Sequence, residues 1–225
     1  MSYINIFIRC ILFSVFLIMG FTTQAQLHFK VGYSAAYFEP EVNNNLLQAF
    51  NERNPWLDDK FNDLNWSHSL DAGIRYRIGF VGLEASWKAS FADVEAEGRT
   101  PSTNAEFLKR FLYRFNSYTF GVENYIGNFG FGANLGYNRM TVREKNSSDR
   151  FNLLKTDQWI GTVFLGIYTN HDGYVSFGIR PFVQLPLSQF DISGLATSLD
   201  EPNSGELLEK EYMTFGISLV IFNGH

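Results

Sequence analysis

Residues 73–91 read GIRYRIGFVGLEASWKASF, and the pattern inside that stretch decides the fold. Arg75, Arg77, Glu84 and Lys88 interrupt a run that is otherwise apolar, aromatic or small. Strict alternation separates the two kinds of residue, because successive side chains of a strand point to opposite faces. Ile74, Tyr76 and Ile78 then share one face, and Arg75 and Arg77 the other. Past Gly79-Phe80, Val81, Leu83, Ala85, Trp87, Ala89 and Phe91 oppose Gly82, Glu84, Ser86, Lys88 and Ser90. Glycine in first place suits a two-residue type II′ hairpin turn. With that turn, Arg75 falls opposite Glu84 and Asp71 opposite Lys88, an arrangement in which cross-strand charges attract.

The same period runs through the rest of the chain and predicts eight strands. Leu27, Phe29, Val31, Tyr33, Ala35 and Tyr37 form one apolar face, with His28, Lys30, Gly32 and Ser34 behind it. Further segments start near residues 66, 117, 129, 159, 175 and 213, the sixth alternating less cleanly. Gly127-Asn128 and His171-Asp172-Gly173 read as tight turns. The intervening connections, 39–65, 92–112, 142–157 and 188–211, read as long loops. Pro181 falls within a strand, where its missing N–H predicts a bulge. An even strand number with short turns at one end and long loops at the other describes an all-β, eight-stranded antiparallel up-and-down transmembrane β-barrel, with the turns periplasmic and the loops extracellular.

A soluble barrel such as a lipocalin also alternates, so the outward face has to be argued. The polar set here is mostly Gly and Ser with few charges, a poor solvated surface but a good filling for the narrow interior of eight strands. The apolar set is broad and gathers Trp, Tyr and Phe towards strand ends, as lipid-facing girdles do. The charges therefore belong in the lumen, where Asp71, Arg75, Glu84, Lys88, Glu123 and Arg180 are expected to form an ion-pair network, either neutralising the interior or gating it.

Residues 1–25 are expected to be a secretory signal peptide: Arg9, the apolar run CILFSVFLIMGF, then small residues at Thr23 and Ala25. Residues 26–225 then form one barrel domain. The only cysteine, Cys10, lies in that leader, which excludes disulfides and thiol chemistry from the mature chain. The net charge of −5 gives no reason to expect nucleic acid.

The leader, eight strands and loop asymmetry resemble the small outer-membrane barrels of the OmpX and OmpA transmembrane type. The last strand is similar to the barrel-assembly signal of such proteins at Thr214, Gly216, Leu219 and Ile221, although Phe222 is followed by Asn-Gly-His. The leader ending QAQ resembles those of Bacteroidetes envelope proteins. The resemblance implies residence in the outer membrane among lipid and lipopolysaccharide, contact with the barrel-assembly machinery during biogenesis, and a monomer.

Chemistry is not indicated. There is no HExxH, GxSxG or phosphate loop. His68 has Ser67, Ser69 and Asp71 nearby, but parity sends it to the lipid and the other three inward. No catalytic set, cofactor or metal is expected. Function is sought in the extracellular loops, as a structural or interaction role with an unknown partner and no large pore, with a narrow porin-like channel or a lipid A-modifying enzyme as alternatives. In the first loop Val42, Leu46 and Phe50 recur every four residues, with Trp56 beyond them. In the second, Thr103 and Glu106 have capping-box spacing, which predicts a helix with Phe107, Leu108, Phe111 and Leu112 on one face. Leu46, Phe50, Trp56, Phe107 and Phe111 are the loop contact candidates. The fourth loop, rich in acidic residues, is expected to be a solvated or cation-bridged surface loop and not a defined calcium site.

Overall fold

The computed structural model describes residues 25–146, 150–169, 175–200, 207–209 and 212–224. Of the expected leader only Ala25 is described, as the first residue of a strand, and the His171-Asp172-Gly173 turn lies outside the described residues. The elements run β1 (Ala25–Phe38), α1 (Glu41–Arg53), β2 (Leu57–Asp59), β3 (Trp66–Ile78), β4 (Val81–Arg99), β5 (Glu106–Ile126), β6 (Phe129–Asn146), β7 (Arg150–Tyr168), β8 (Val175–Pro186), β9 (Phe190–Asp191), α2 (Ser193–Ser198), β10 (Leu208–Glu209) and β11 (Thr214–Gly224). Strands β1, β3, β4, β5, β6, β7, β8 and β11 pair in that order, all antiparallel, and β11 closes on β1. The fold is an eight-stranded up-and-down β-barrel of the transmembrane kind.

Its outer belt carries the large apolar side chains: Phe29 is 63% exposed, Trp66 61%, Phe120 61% and Leu165 61%. Closure satisfies the backbone groups between strands, so such a belt can face lipid without a sheet edge. Gly79 and Gly127 each have φ +58°, with no positive φ at Phe80 or Asn128, as type II′ turns require.

Pro181 makes no bulge. It pairs with Ile217 on β11, while on the β7 side Phe164↔Phe182 and Ile167↔Ile179 bracket a two-residue gap in an unchanged register. The gap in that ladder accommodates the missing N–H. A register shift does occur elsewhere, between Val142 and Arg143 on β6.

The second and third loops differ from the sequence expectation. Residues 92–112 are mostly strand, β4 and β5 being joined through 100–105, and most of 142–157 belongs to β6 and β7. The expected helix at Thr103–Leu112 does not form, because Glu106 onward continues the β4 ladder to the last pair, Arg99↔Glu106. The reason is an inversion of polarity at constant register. Below it, Val81 to Phe91 point apolar side chains outward; above it, Ala92, Val94 and Ala96 point inward while Asp93, Glu95 and Glu97 point out. Phe111, Tyr113 and Phe115 on β5 and Met140 and Val142 on β6 make the same exchange. Strands β4–β7 therefore rise beyond the belt as a one-sided wall, 18 to 21 residues long against 11 to 14 for β1, β3, β8 and β11.

The first and fourth connections fold against the inner face of this wall. Leu46, Leu47 and Phe50 of α1, Leu57, Phe61 and Leu64, and Phe190, Ile192, Leu195 and Leu199 join Val94, Ala96, Phe111, Tyr113, Phe115 and Val142 in one buried apolar cluster. The fourth connection is thus not a solvated loop in its described part: its alternating Phe190 and Ile192 and the short α2 bury their apolar groups in the cap.

Candidate functional site

The lumen is built from the inward residues of the eight strands. At the turn end Arg75 is fully buried, its guanidinium 3.6 Å from the centre of the Phe222 ring, with Nη1 donating to Tyr125 Oη at 3.0 Å. Tyr125 and Tyr168 are also buried there, and both donate to Glu123. Tyr168 can lie flat across the lumen because the strands beneath it are glycine: a Cβ at Gly178 would come within 2.5 Å of its ring. This group closes the turn end.

Above it, Arg180 is the hub. Its Nη1 donates to Glu84 Oε2 at 2.8 Å, its Nη2 to Glu123 Oε2 at 2.6 Å and its Nε to Tyr168 Oη at 2.6 Å. Lys30 bridges Glu84 and Asp71, 2.6 Å from each. The hairpin register does place Arg75 opposite Glu84 and Asp71 opposite Lys88, but the ion pairs do not follow it. Glu84 pairs with Lys30 and Arg180, Asp71 pairs with Lys30, and Lys88 sets its ammonium 4.4 Å from the Phe182 ring centre. In so narrow a barrel a long inward side chain reaches strands across the lumen as readily as its ladder neighbour. Lys30, Tyr125, Tyr168 and Phe222 were not among the candidates. Lys30 had inward parity, and that was its available signal.

Between the ionic layer and the cap are two small cavities, of about 50 Å³ and about 30 Å³, both touched by Lys88, Ser117 and Gln184. Their lining mixes Ser, Thr, Asn and Gln with the charged Lys88 and with apolar groups such as Phe182 and Phe115, and leaves room for a few waters. The cap then closes the loop end.

Buried polar groups lock the cap in place. Tyr113 Oη donates to Asn43 Oδ1 at 2.8 Å, Asn44 Oδ1 accepts from Leu64 N at 2.9 Å, and Asn51 exchanges two hydrogen bonds with the Phe61 backbone. The asparagine-rich run of α1 is explained by these contacts. Pro40 gives α1 no side-chain cap; Glu209 supplies one from β10, accepting from Val42 N at 3.3 Å and Asn43 N at 2.9 Å. Burial raises the Glu209 carboxyl above the ordinary range, outweighing those two bonds, and nearby Glu41 adds to the shift. Arg53 ties the other end of α1 to the carbonyls of Leu199 and Asp200.

The loop contact candidates belong to this interior. Leu46, Phe50 and Phe111 are buried, while Trp56 and Phe107 are half-buried and pack edge to face at 5.2 Å. Leu46, Phe50 and Phe111 fill the cap, while Trp56 and Phe107 pack against it and stay partly exposed. On β11, Thr214 and Gly216 face inward and Leu219 and Ile221 outward; Gly216 lies under the Phe182 ring, leaving no room for a Cβ. His68 faces outward, hydrogen-bonded at 2.6 Å to Tyr33 Oη. Among the described residues no cluster of three His, Cys, Asp or Glu could hold a metal.

No protein-family model matches the chain, and no curated protein matches it either. Among solved structures it is similar to Ail, the attachment invasion locus protein of Yersinia pestis, at 10% identity and TM-score 0.48 over 90% of this chain and 100% of that one. It is also similar to Neisserial surface protein A at 8% identity and TM-score 0.41, over 88% and 96% of the two chains. The translocator domain of the autotransporter NalP from Neisseria meningitidis gives 10% identity and TM-score 0.41, over 90% and 88%.

Proposed function

We propose that the chain is a non-conducting, monomeric outer-membrane barrel that acts at the cell surface through the outside of its wall and cap. The observation that carries this reading is the double closure of the lumen: Arg75, Tyr125, Tyr168 and Phe222 at the turn end and the apolar cluster at the loop end. A narrow channel would need a continuous wet path, and the cap sets buried Phe, Leu and Ile across it. A lipid A-modifying enzyme would need convergent polar groups at the outer rim; Asn44, Asn51 and Glu209 at that end are instead hydrogen-bonded to backbone of the cap. Export by a leader ending near Ala25, and delivery through the Thr214, Gly216, Leu219 and Ile221 signal to the assembly machinery, complete the reading. Fractionation of expressing cells tests it. Recovery in the outer membrane with heat-modifiable migration, and an unchanged lipid A mass profile, is the expected result. Soluble periplasmic recovery would contradict the location, and a new lipid A species would contradict the lack of catalysis.

A further inference from the structure

Among the described residues, the seam between β7 and β8 is where the ladder of the belt is interrupted. Phe164↔Phe182 and Ile167↔Ile179 are paired, while Leu165, Gly166, Arg180 and Pro181 between them are not. Pro181 has no N–H to give, and Gly166 brings no side chain to the inner side. Outside, a groove of about 1020 Å³ runs over the belt from β5 across to β3 and meets the seam at Leu165, Pro181 and Val183. Inside lies the cavity of about 50 Å³ above the ionic layer. Phe164 and Phe182 line both. Their rings therefore stand between the lipid side and the lumen at the point where the backbone ladder is open. Each ring leans away from the seam over a glycine of the next strand. A Cβ at Gly132 on β6 would come within 2.4 Å of the Phe164 ring, and one at Gly216 on β11 within 2.4 Å of the Phe182 ring.

The charges around the inner cavity select its occupant. Lys30, Lys88 and Arg180 line it against one carboxylate, Asp71. Arg180 is held by Glu84 and Glu123, and Lys30 by Asp71 and Glu84. Lys88 makes neither an ion pair nor a hydrogen bond among the described residues; its ammonium rests 4.4 Å from the centre of the Phe182 ring. Asp71, opposite it in the ladder, attracts it but is already bound to Lys30 at 2.6 Å. An ammonium inside a low-dielectric barrel calls for an anion in contact. The cavity has room for about three waters, or for one carboxylate and a water that donates to Asp71 Oδ1, which has no hydrogen-bond partner. The stopper closes the turn end and the cap the loop end, so the rest of such a molecule leaves past the two rings and through the seam. The open length is two residue pairs, about 7 Å of strand, room for one alkyl chain and not for two. Beyond it the chain lies in the apolar groove.

We propose that the β7–β8 seam binds a free monoacyl carboxylate, its head on Lys88 inside the barrel and its chain passing between Phe164 and Phe182 into the outer groove. The site goes beyond the surface role above and shares only the barrel with it. Full-length folded protein in non-ionic detergent, titrated by native mass spectrometry with palmitate, with methyl palmitate and with dipalmitoyl phosphatidylglycerol, tests it. The expected result is a one-to-one complex with palmitate alone. Lys88→Met should weaken that complex at least about tenfold, as loss of a charge-assisted contact implies. Gly132→Ala, which pushes the Phe164 ring towards the seam, should weaken it as well, and Lys155→Gln on the exposed wall should leave it unchanged. Heat-modifiable migration shows that each variant is folded, and Lys88→Gln serves should Lys88→Met fail. Absence of a palmitate complex would overturn the proposal. So would equal binding of the ester or of the diacyl lipid, or undiminished binding by a folded Lys88 variant. Loss of heat-modifiability in the unsubstituted protein would overturn the barrel reading instead.

Discussion

Arg180 holds two buried carboxylates, Glu84 and Glu123, at 2.8 and 2.6 Å. Buried ion pairs add little net stability, but removing one partner strands the other. Arg180→Met is expected to lower stability by about 3–5 kcal/mol, read from urea unfolding of the lipid-inserted protein. A cost below about 1 kcal/mol would mean that water reaches the network. Glu209 titrates in the opposite sense from a salt-bridged carboxylate. Burial raises its folded-state pKa, so protonation favours the folded cap. Its contribution is present at pH below the ordinary carboxylate value and fades as pH rises through the raised one. Amide exchange in α1, corrected for intrinsic rates, should be slower just above pH 4.5 than at neutrality, and Glu209→Gln should flatten that dependence. A flat profile in the unsubstituted protein would contradict the burial.

The cap is an element-scale device, a second core outside the membrane. Leu47 is fully buried within it, and Leu47→Ala should cost about 2–5 kcal/mol locally. The expected signature is faster exchange and proteolysis in α1 with barrel migration unchanged; joint loss of both would show that cap and barrel fold as one unit. At this scale the sequence was partly misleading, for a definable reason. Phe107 and Phe111 are four apart, a spacing that a helix face and a strand face both satisfy, and the strand is what formed. The wall is hidden in the sequence because apolar residues change from odd to even positions near Phe91 on β4, which looks like the end of a strand when only one polarity is followed. Along the belt, where polarity is constant, the eight strands, the Gly79 and Gly127 turns and the Arg75–Glu84 register could be read from period two. The partners across the lumen could not, since Lys30 and Arg180 reach strands that no ladder joins to their own.

At the scale of the molecule, three layers are stacked along one axis: an aromatic and ionic stopper, a small polar interior, and an apolar cap leaning on a one-sided wall. The central claim is that this stack does not conduct. Planar-bilayer recording of protein shown to be folded by its heat-modifiable migration measures that directly. The account predicts insertion without steady conductance, even at raised salt. A stable ohmic conductance that scales with salt and changes in Glu84→Gln would contradict it.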